Sequence, residues 1–258
     1  MKSQTATLLA AISLGLLGST PLVGQDVGYG DDAIVDQAEE LGNAKETVLE
    51  AAAVVEQMRA DADAVRLLDQ ANAAFIVPDY ARASFIAGAA GGQGILIART
   101  EDGWSAPAFY NIGAINLGAA AGIEGGSIAF LLMTDDALEG FENQHNFSLN
   151  ADAGLTIIDW TQRAQVSAGK GADVVVWSDT EGLYGDLAIS VSDIFWDEQA
   201  NAAYYGRAVT PVTIIVGTII DPMSESELRS EFSALETADP EGQTQGAETN
   251  EPTTQSGQ

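Results

Sequence analysis

The chain has 258 residues, no cysteine and a single histidine, and 38 acidic side chains oppose 10 basic ones for a formal net charge of −28 at pH 7. The absence of cysteine removes disulfides, thiolate metal sites, cysteine nucleophiles and acylated-cysteine anchors. His145 alone supplies neither a zinc site nor a Ser-His-Asp triad, and so acidic a chain repels nucleic acid, which is excluded as a partner.

Residues 1–25 read as a signal peptide. Lys2 gives a positive start, and the apolar stretch Leu8 to Leu17 is too short for a comfortable membrane span and is followed by Gly18-Ser19-Thr20-Pro21. A periplasmic or secreted protein is expected from it. Asp32 to Arg59 reads as a helix, with Ile34, Ala38, Leu41, Val48, Ala52 and Val55 at helical spacing and Asp36, Glu39, Glu46 and Glu50 on the other side. A helix lying on a membrane usually carries Lys and Arg on its polar face, so core packing is the expected use of this stripe. A second helix is expected over Asp61 to Ala74, ended by Phe75-Ile76-Val77-Pro78.

From Arg82 glycine becomes frequent and apolar residues come in short runs. Strands are expected at Ser84–Ala89, Gly94–Thr100, Phe109–Leu117, Ser127–Met133, Gly154–Ile158, Asp173–Ser178 and Leu183–Val191. A short helix is expected at Thr134–Phe141, with Thr134 as N-cap and Asp135 and Asp136 in the first turn, and another at Asp197–Tyr205. Pro211–Ile220 reads as a closing strand. Residues 221–258 read as an acidic, largely disordered tail with a helical stub near Ser224 to Leu235. These elements predict an α+β fold: N-terminal helices packed on a curved, mostly antiparallel β-sheet that approaches a barrel, in one domain over residues 26–220.

Few residues suggest chemistry. Gly88 to Gly94 lacks the Lys-Ser or Lys-Thr of a phosphate loop, and the following Ile95-Leu96-Ile97-Ala98 reads as a strand, so close strand packing is expected there. Ser105 has no neighbouring base. Asp135 with Asp136, and Asp152 with Asp159, read as solvated charge, and no calcium-loop pattern is present. Trp104 follows the turn signal Asp102-Gly103; exposed, it would insert at a lipid interface, and buried, which is the expectation, it plugs the open end of a sheet. The scarce cations Arg82, Arg99, Arg163, Lys170 and Arg207 would form an anion patch if they cluster, and otherwise pair with acids.

Several motifs in order resemble one family. Val77-Pro78-Asp79, Ala87-Gly88-Ala89-Ala90-Gly91-Gly92-Gln93-Gly94 and Gly103-Trp104-Ser105-Ala106-Pro107-Ala108-Phe109-Tyr110 look like the first half of a SYLF domain. Gly169 to Trp177, Gly182-Leu183-Tyr184-Gly185-Asp186-Leu187 and Asn201-Ala202-Ala203-Tyr204-Tyr205-Gly206 resemble its second half, so the likeness covers roughly residues 44–220. The resemblance implies binding without catalysis or cofactor. Its exported bacterial-type members imply phospholipid, a membrane surface or another amphipathic envelope component as ligand. Actin, bound by some fungal members, is set aside because an envelope holds none. Trp104, Phe109, Tyr110, Arg82, Arg99, Lys170 and Arg207 are the candidate ligand-binding residues, and no metal ligand is expected. The competing readings are a structural module whose acidic surface contacts an envelope protein, and an enzyme of unrecognised type.

Overall fold

A computed structural model describes residues 29–84, 88–116, 122–143, 145–149, 154–159, 171–179, 193–219, 221–222 and 227–237. The expected signal peptide and the expected strand at Leu183–Val191 lie outside them. The chain opens with helix α1 (Tyr29–Met58) and helix α2 (Ala62–Gln70). Strands β1 (Ala73–Ser84), β2 (Gly88–Thr100), β3 (Gly103–Trp104), β4 (Ala108–Asn116) and β5 (Gly122–Leu132) follow. After helix α3 (Asp135–Asn143) come the short strands β6 (Asn146–Phe147), β7 (Ile157–Asp159), β8 (Val174–Ser178) and β9 (Asp193–Trp196). Helices α4 (Glu198–Tyr205), α5 (Pro211–Ile215) and α6 (Glu227–Thr237) complete the described part.

The strand order is β6-β9-β4-β2-β1-β5-β8-β7, with β3 paired to the end of β2. Every pairing is antiparallel except β7 with β8. The architecture is α+β, N-terminal helices on a strongly curled sheet that makes a half-barrel.

Both faces of the sheet are covered at one end, which is why its strands read as continuous apolar runs rather than as alternation. Ala74, Ile76, Ile95, Ile97, Phe109, Ala129, Leu131, Val175 and Trp177 meet α1, α2, α4 and α6 on one face. Phe75, Val77, Leu96, Ala98, Tyr110, Ile128, Phe130, Val174 and Val176 meet α3 and α5 on the other. Successive residues of one strand enter opposite cores because a strand turns each side chain over.

Two local expectations are corrected. Strand β1 starts at Ala73 and runs through Phe75-Ile76-Val77-Pro78, where a helix end was expected. Pro78 has no N–H to donate, and it sits where β1 slips one residue against both neighbours, a bulge that needs no ladder bond there. The Pro78 carbonyl accepts from the Ser127 hydroxyl at 2.9 Å. Pro211–Ile215 is a helix, not a closing strand; Pro211 occupies its first turn, where a missing N–H costs nothing, and the Thr210 and Thr213 side chains form a capping box. α6 falls where the helical stub was expected, and it buries Leu228 and Phe232 completely against the α1 side of the sheet. The glycines of β2 are explained by close packing. A Cβ on Gly94 would lie 2.6 Å from the Phe75 ring, and one on Gly92 would lie 2.5 Å from the Asp79 carbonyl.

Candidate functional site

Helix α1 divides into two halves. Ala44, Val48, Ala51, Ala52, Val54, Val55 and Met58 are buried, whereas no residue from Val35 to Asn43 is. The expected apolar stripe divides the same way: Val48, Ala52 and Val55 enter the core, Leu41 is half-buried and Ala38 is exposed. Val35 is 61% exposed. Between this first half and α4 runs an open groove of about 470 Å3, lined by Asp36, Gln37, Glu39, Glu40, Asn43, Gln199, Ala202 and Ala203.

A polar network fixes the elements on either side of that groove. The Thr47 hydroxyl donates to Gln93 Oε1 at 2.7 Å, and Gln93 Nε2 donates to Asp197 Oδ2 at 2.9 Å. Asn111 Nδ2 donates to the same oxygen at 2.8 Å. The other oxygen, Asp197 Oδ1, caps α4 by accepting from the Ala200 N–H. Asn201 closes the contact with β4: its side chain accepts from the Phe109 N–H and donates to the Phe109 carbonyl. One carboxylate thereby joins α1, β2, β4 and α4. Further along α1, partial burial and the charges of Glu46 and Asp79 raise the Glu50 pKa.

A second cleft, of about 330 Å3, lies beneath the β2–β3 turn. Thr100, Glu101, Asp102, Trp104, Ser105, Ala106, Val216, Gly217, Ile219, Asp221 and Arg229 line it. Trp104 is 4% exposed, packs on Phe232 with ring centroids 4.4 Å apart, and carries the Arg99 guanidinium 4.5 Å from its ring centre. Among the described residues, its indole Nε1–H has no hydrogen-bond partner. The Ser105 hydroxyl accepts from the Ala98 N–H and donates to the Ala106 carbonyl, a backbone-tying role. Asp221 Oδ1 accepts from the Tyr204 hydroxyl at 3.0 Å.

The expected ligand-binding residues fall in different places. Trp104 and Arg99 are in contact, and Arg99 also donates to the Leu68, Asp69 and Ala71 carbonyls, ending α2. Phe109 and Tyr110 are completely buried on opposite faces of the sheet, against Tyr204 and against Phe141. Arg207 is exposed just after α4. Arg82 lies at the far end of β1, opposite Ala90 and Glu124. Lys170 and Arg163 lie outside the described residues. His145 is exposed in the loop after α3. Sequence reasoning missed Arg229 and Asp221, which it placed in a tail, and Asp197, whose position before α4 was its only signal.

A curled, helix-covered α+β half-barrel with surface grooves is the class of domain that this geometry defines. Residues 113–235 match the family model described as "Ysc84: Las17-binding protein actin regulator". The chain is 29% identical over 160 residues to LAS seventeen-binding protein 3 of Saccharomyces cerevisiae, covering 60% of this chain and 34% of that protein. It is 27% identical over 150 residues to SH3 domain-containing YSC84-like protein 1 of Bos taurus, covering 57% and 44%. Protein YSC84 of Saccharomyces cerevisiae is 26% identical over 154 residues, covering 57% and 33%. The chain thus carries a domain of the Ysc84 (SYLF) family, and it spans between a third and a half of the length of these curated relatives.

The relatives correct one expectation. They are yeast and mammalian proteins with names that refer to Las17 binding and SH3 domains, not periplasmic or secreted ones, so the periplasmic or secreted placement does not stand. The reason for setting the actin-regulatory side of the family aside falls with it. Among the described residues, no helix is long and apolar enough to cross a membrane.

Proposed function

We propose that this chain is a non-enzymatic binding module whose ligand is another protein, taken up by the groove between the first half of α1 and α4. The observation that carries this reading is the uncovered half of α1. A helix so anchored at one end, with Val35 and Ala38 exposed and Asp36 and Glu39 beside them, presents a mixed apolar and acidic surface. Such a surface suits a partner segment that carries Lys or Arg around an apolar anchor. The relatives named for binding another protein support a protein ligand.

The test is calorimetric titration of the chain with a Lys/Arg-rich amphipathic peptide and with a Glu-rich peptide of equal length. The basic peptide is expected to bind with a Kd of about 10 μM and to weaken with salt. The triple variant Asp36→Asn, Glu39→Gln, Glu40→Gln is expected to lose about 10-fold in affinity. Equal binding of both peptides, or no effect of the triple variant, would reject the groove as the docking site.

A second reading, phospholipid binding, rests on the SYLF resemblance and on the exposure of Val35. The acids on α1 oppose attraction to anionic headgroups, so insertion of the apolar edge would have to drive it. Sedimentation with phosphatidylcholine vesicles, with and without phosphatidylserine, separates the two readings. Pelleting that Val35→Asp abolishes supports lipid, and its absence leaves the protein ligand.

A further inference from the structure

We propose that Gln93 is a positioning residue of the α1–α4 groove: bonded to Thr47 of one helix and to Asp197, the cap of the other, it sets how the two walls stand to each other and so how well the groove takes a partner segment. Gln93 stands on β2 and is not among the residues that line the groove. The proposal rests on the docking reading of that groove and adds the residue on which its shape depends.

Apolar packing alone does not fix that relation. The buried Ala44, Val48 and Ala203 side chains fill space, and such contacts carry no direction. Hydrogen bonds do. Both ends of the Gln93 amide are used: Oε1 accepts from the Thr47 hydroxyl at 2.7 Å, and Nε2 donates to Asp197 Oδ2 at 2.9 Å. The α4 side dictates this orientation. The Asp197 carboxylate accepts from Asn111 Nδ2 and from the Ala200 N–H as well, and a carboxylate only accepts. The amide nitrogen of Gln93 must therefore face Asp197, which leaves its oxygen to Thr47.

The α1 end of the relay is a choice between two acceptors. Thr47 is buried and its hydroxyl has one proton. Gln93 Oε1 stands 2.7 Å away, and the Asn43 carbonyl, one turn back in the same helix, 3.0 Å away. Given to Asn43, the proton ties α1 only to itself. Given to Gln93, it ties α1 to the sheet and, through Asp197, to α4. Asn43 lines the groove, and Ala44 is the first buried residue after Val35. The tie thus falls where the uncovered half of α1 ends and its anchored half begins.

The chain has no cysteine, so Val35→Cys together with Glu198→Cys places one spin label on each helix for a distance measurement by pulsed electron resonance. Gln93→Glu sets a carboxylate against the Asp197 carboxylate and is expected to broaden the distance distribution. Asp197→Asn keeps the α4 cap, since Asn caps as well as Asp, but turns a donor toward Gln93 and Asn111. The double variant exchanges donor and acceptor between positions 93 and 197 at unchanged net charge, and is expected to return the distribution to its wild-type width. The Lys/Arg-rich peptide is then titrated into the same variants without the cysteines. The added charge of Gln93→Glu would by itself tighten a basic peptide; lost positioning is expected to weaken it about 10-fold, and the double variant to recover it. Gln93→Met, neutral and of similar length, repeats the distance test if Gln93→Glu does not fold. A distribution that the Gln93 variants leave unchanged, a double variant no closer to wild type than Gln93→Glu, or tighter peptide binding by Gln93→Glu would each overturn the proposal. A peptide that does not bind the unsubstituted chain sinks the docking reading instead, and the distances still decide the positioning.

Discussion

Tyr110, Tyr204 and Tyr205 show how burial alone sets a property of single residues. Each phenol is buried, and burial raises each pKa far above its ordinary value of 10.0; the Asp221 charge adds to the rise for Tyr204 and Tyr205. The Tyr110 hydroxyl donates to the Phe141 carbonyl at 2.7 Å and the Tyr205 hydroxyl to the Pro107 carbonyl at 2.7 Å, bonds that exist only while the phenol keeps its proton. A raised folded pKa means that the unfolded chain loses these protons first, so this stability is intact below about pH 10 and declines above it. Urea midpoints measured from pH 8 to pH 11.5 are expected to fall steeply above about pH 10. A midpoint that stays level across that range would contradict the buried, protonated assignment. Aromatic identity was legible in the sequence; the face each ring occupies was not, because Phe109 and Tyr110 are adjacent and enter opposite cores.

At the scale of elements, α1 carries the clearest consequence. Gly42 lies within the helix where the uncovered half meets the anchored half, and a Cβ there would touch nothing within 4 Å. Glycine in a helix interior costs about 0.8–1.0 kcal/mol relative to alanine. Gly42→Ala is therefore expected to raise stability by about 0.5–1 kcal/mol in chemical denaturation and to increase helical ellipticity. A loss of stability would mean that the helix bends or makes contacts at this point that the structure does not contain. The sequence showed α1, α2, α3 and α4 because periodicity, a Thr or Asp cap and acidic first turns are local signals. It misread Pro211–Ile215, an apolar run too short for its period to separate helix from strand. It also missed β1 up to Ser84, where a proline usually ends an element and here occupies a bulge.

For the whole molecule, charge is the dominant global term. A net charge of −28 on 258 residues makes the folded chain repel itself. Arg59 with Glu231 and Arg66 with Asp63 are ion pairs at the surface, where such pairs contribute little. Raising ionic strength shortens the screening length from about 30 Å at 0.01 M to about 3 Å at 1 M. The melting temperature is expected to rise over that interval, in sodium chloride as well as in the strongly excluded sulfate. A flat or falling response in sodium chloride would show that repulsion does not limit stability.

What the sequence by itself determined is what composition, local period and ordered motifs encode: the α+β class, the SYLF likeness, the helices with caps, and the burial of Trp104. What only the tertiary structure decided is which residues come together across the fold. Asp197 holds Gln93 and Asn111, about a hundred residues away, and Trp104 packs on Phe232 from a helix that composition assigned to a tail. The uncovered half of α1 was equally out of reach, since Ala38 and Leu41 follow the same periodic stripe as Val48 and Ala52. Periodicity shows which face of a helix is apolar; only the packed chain shows whether anything covers it.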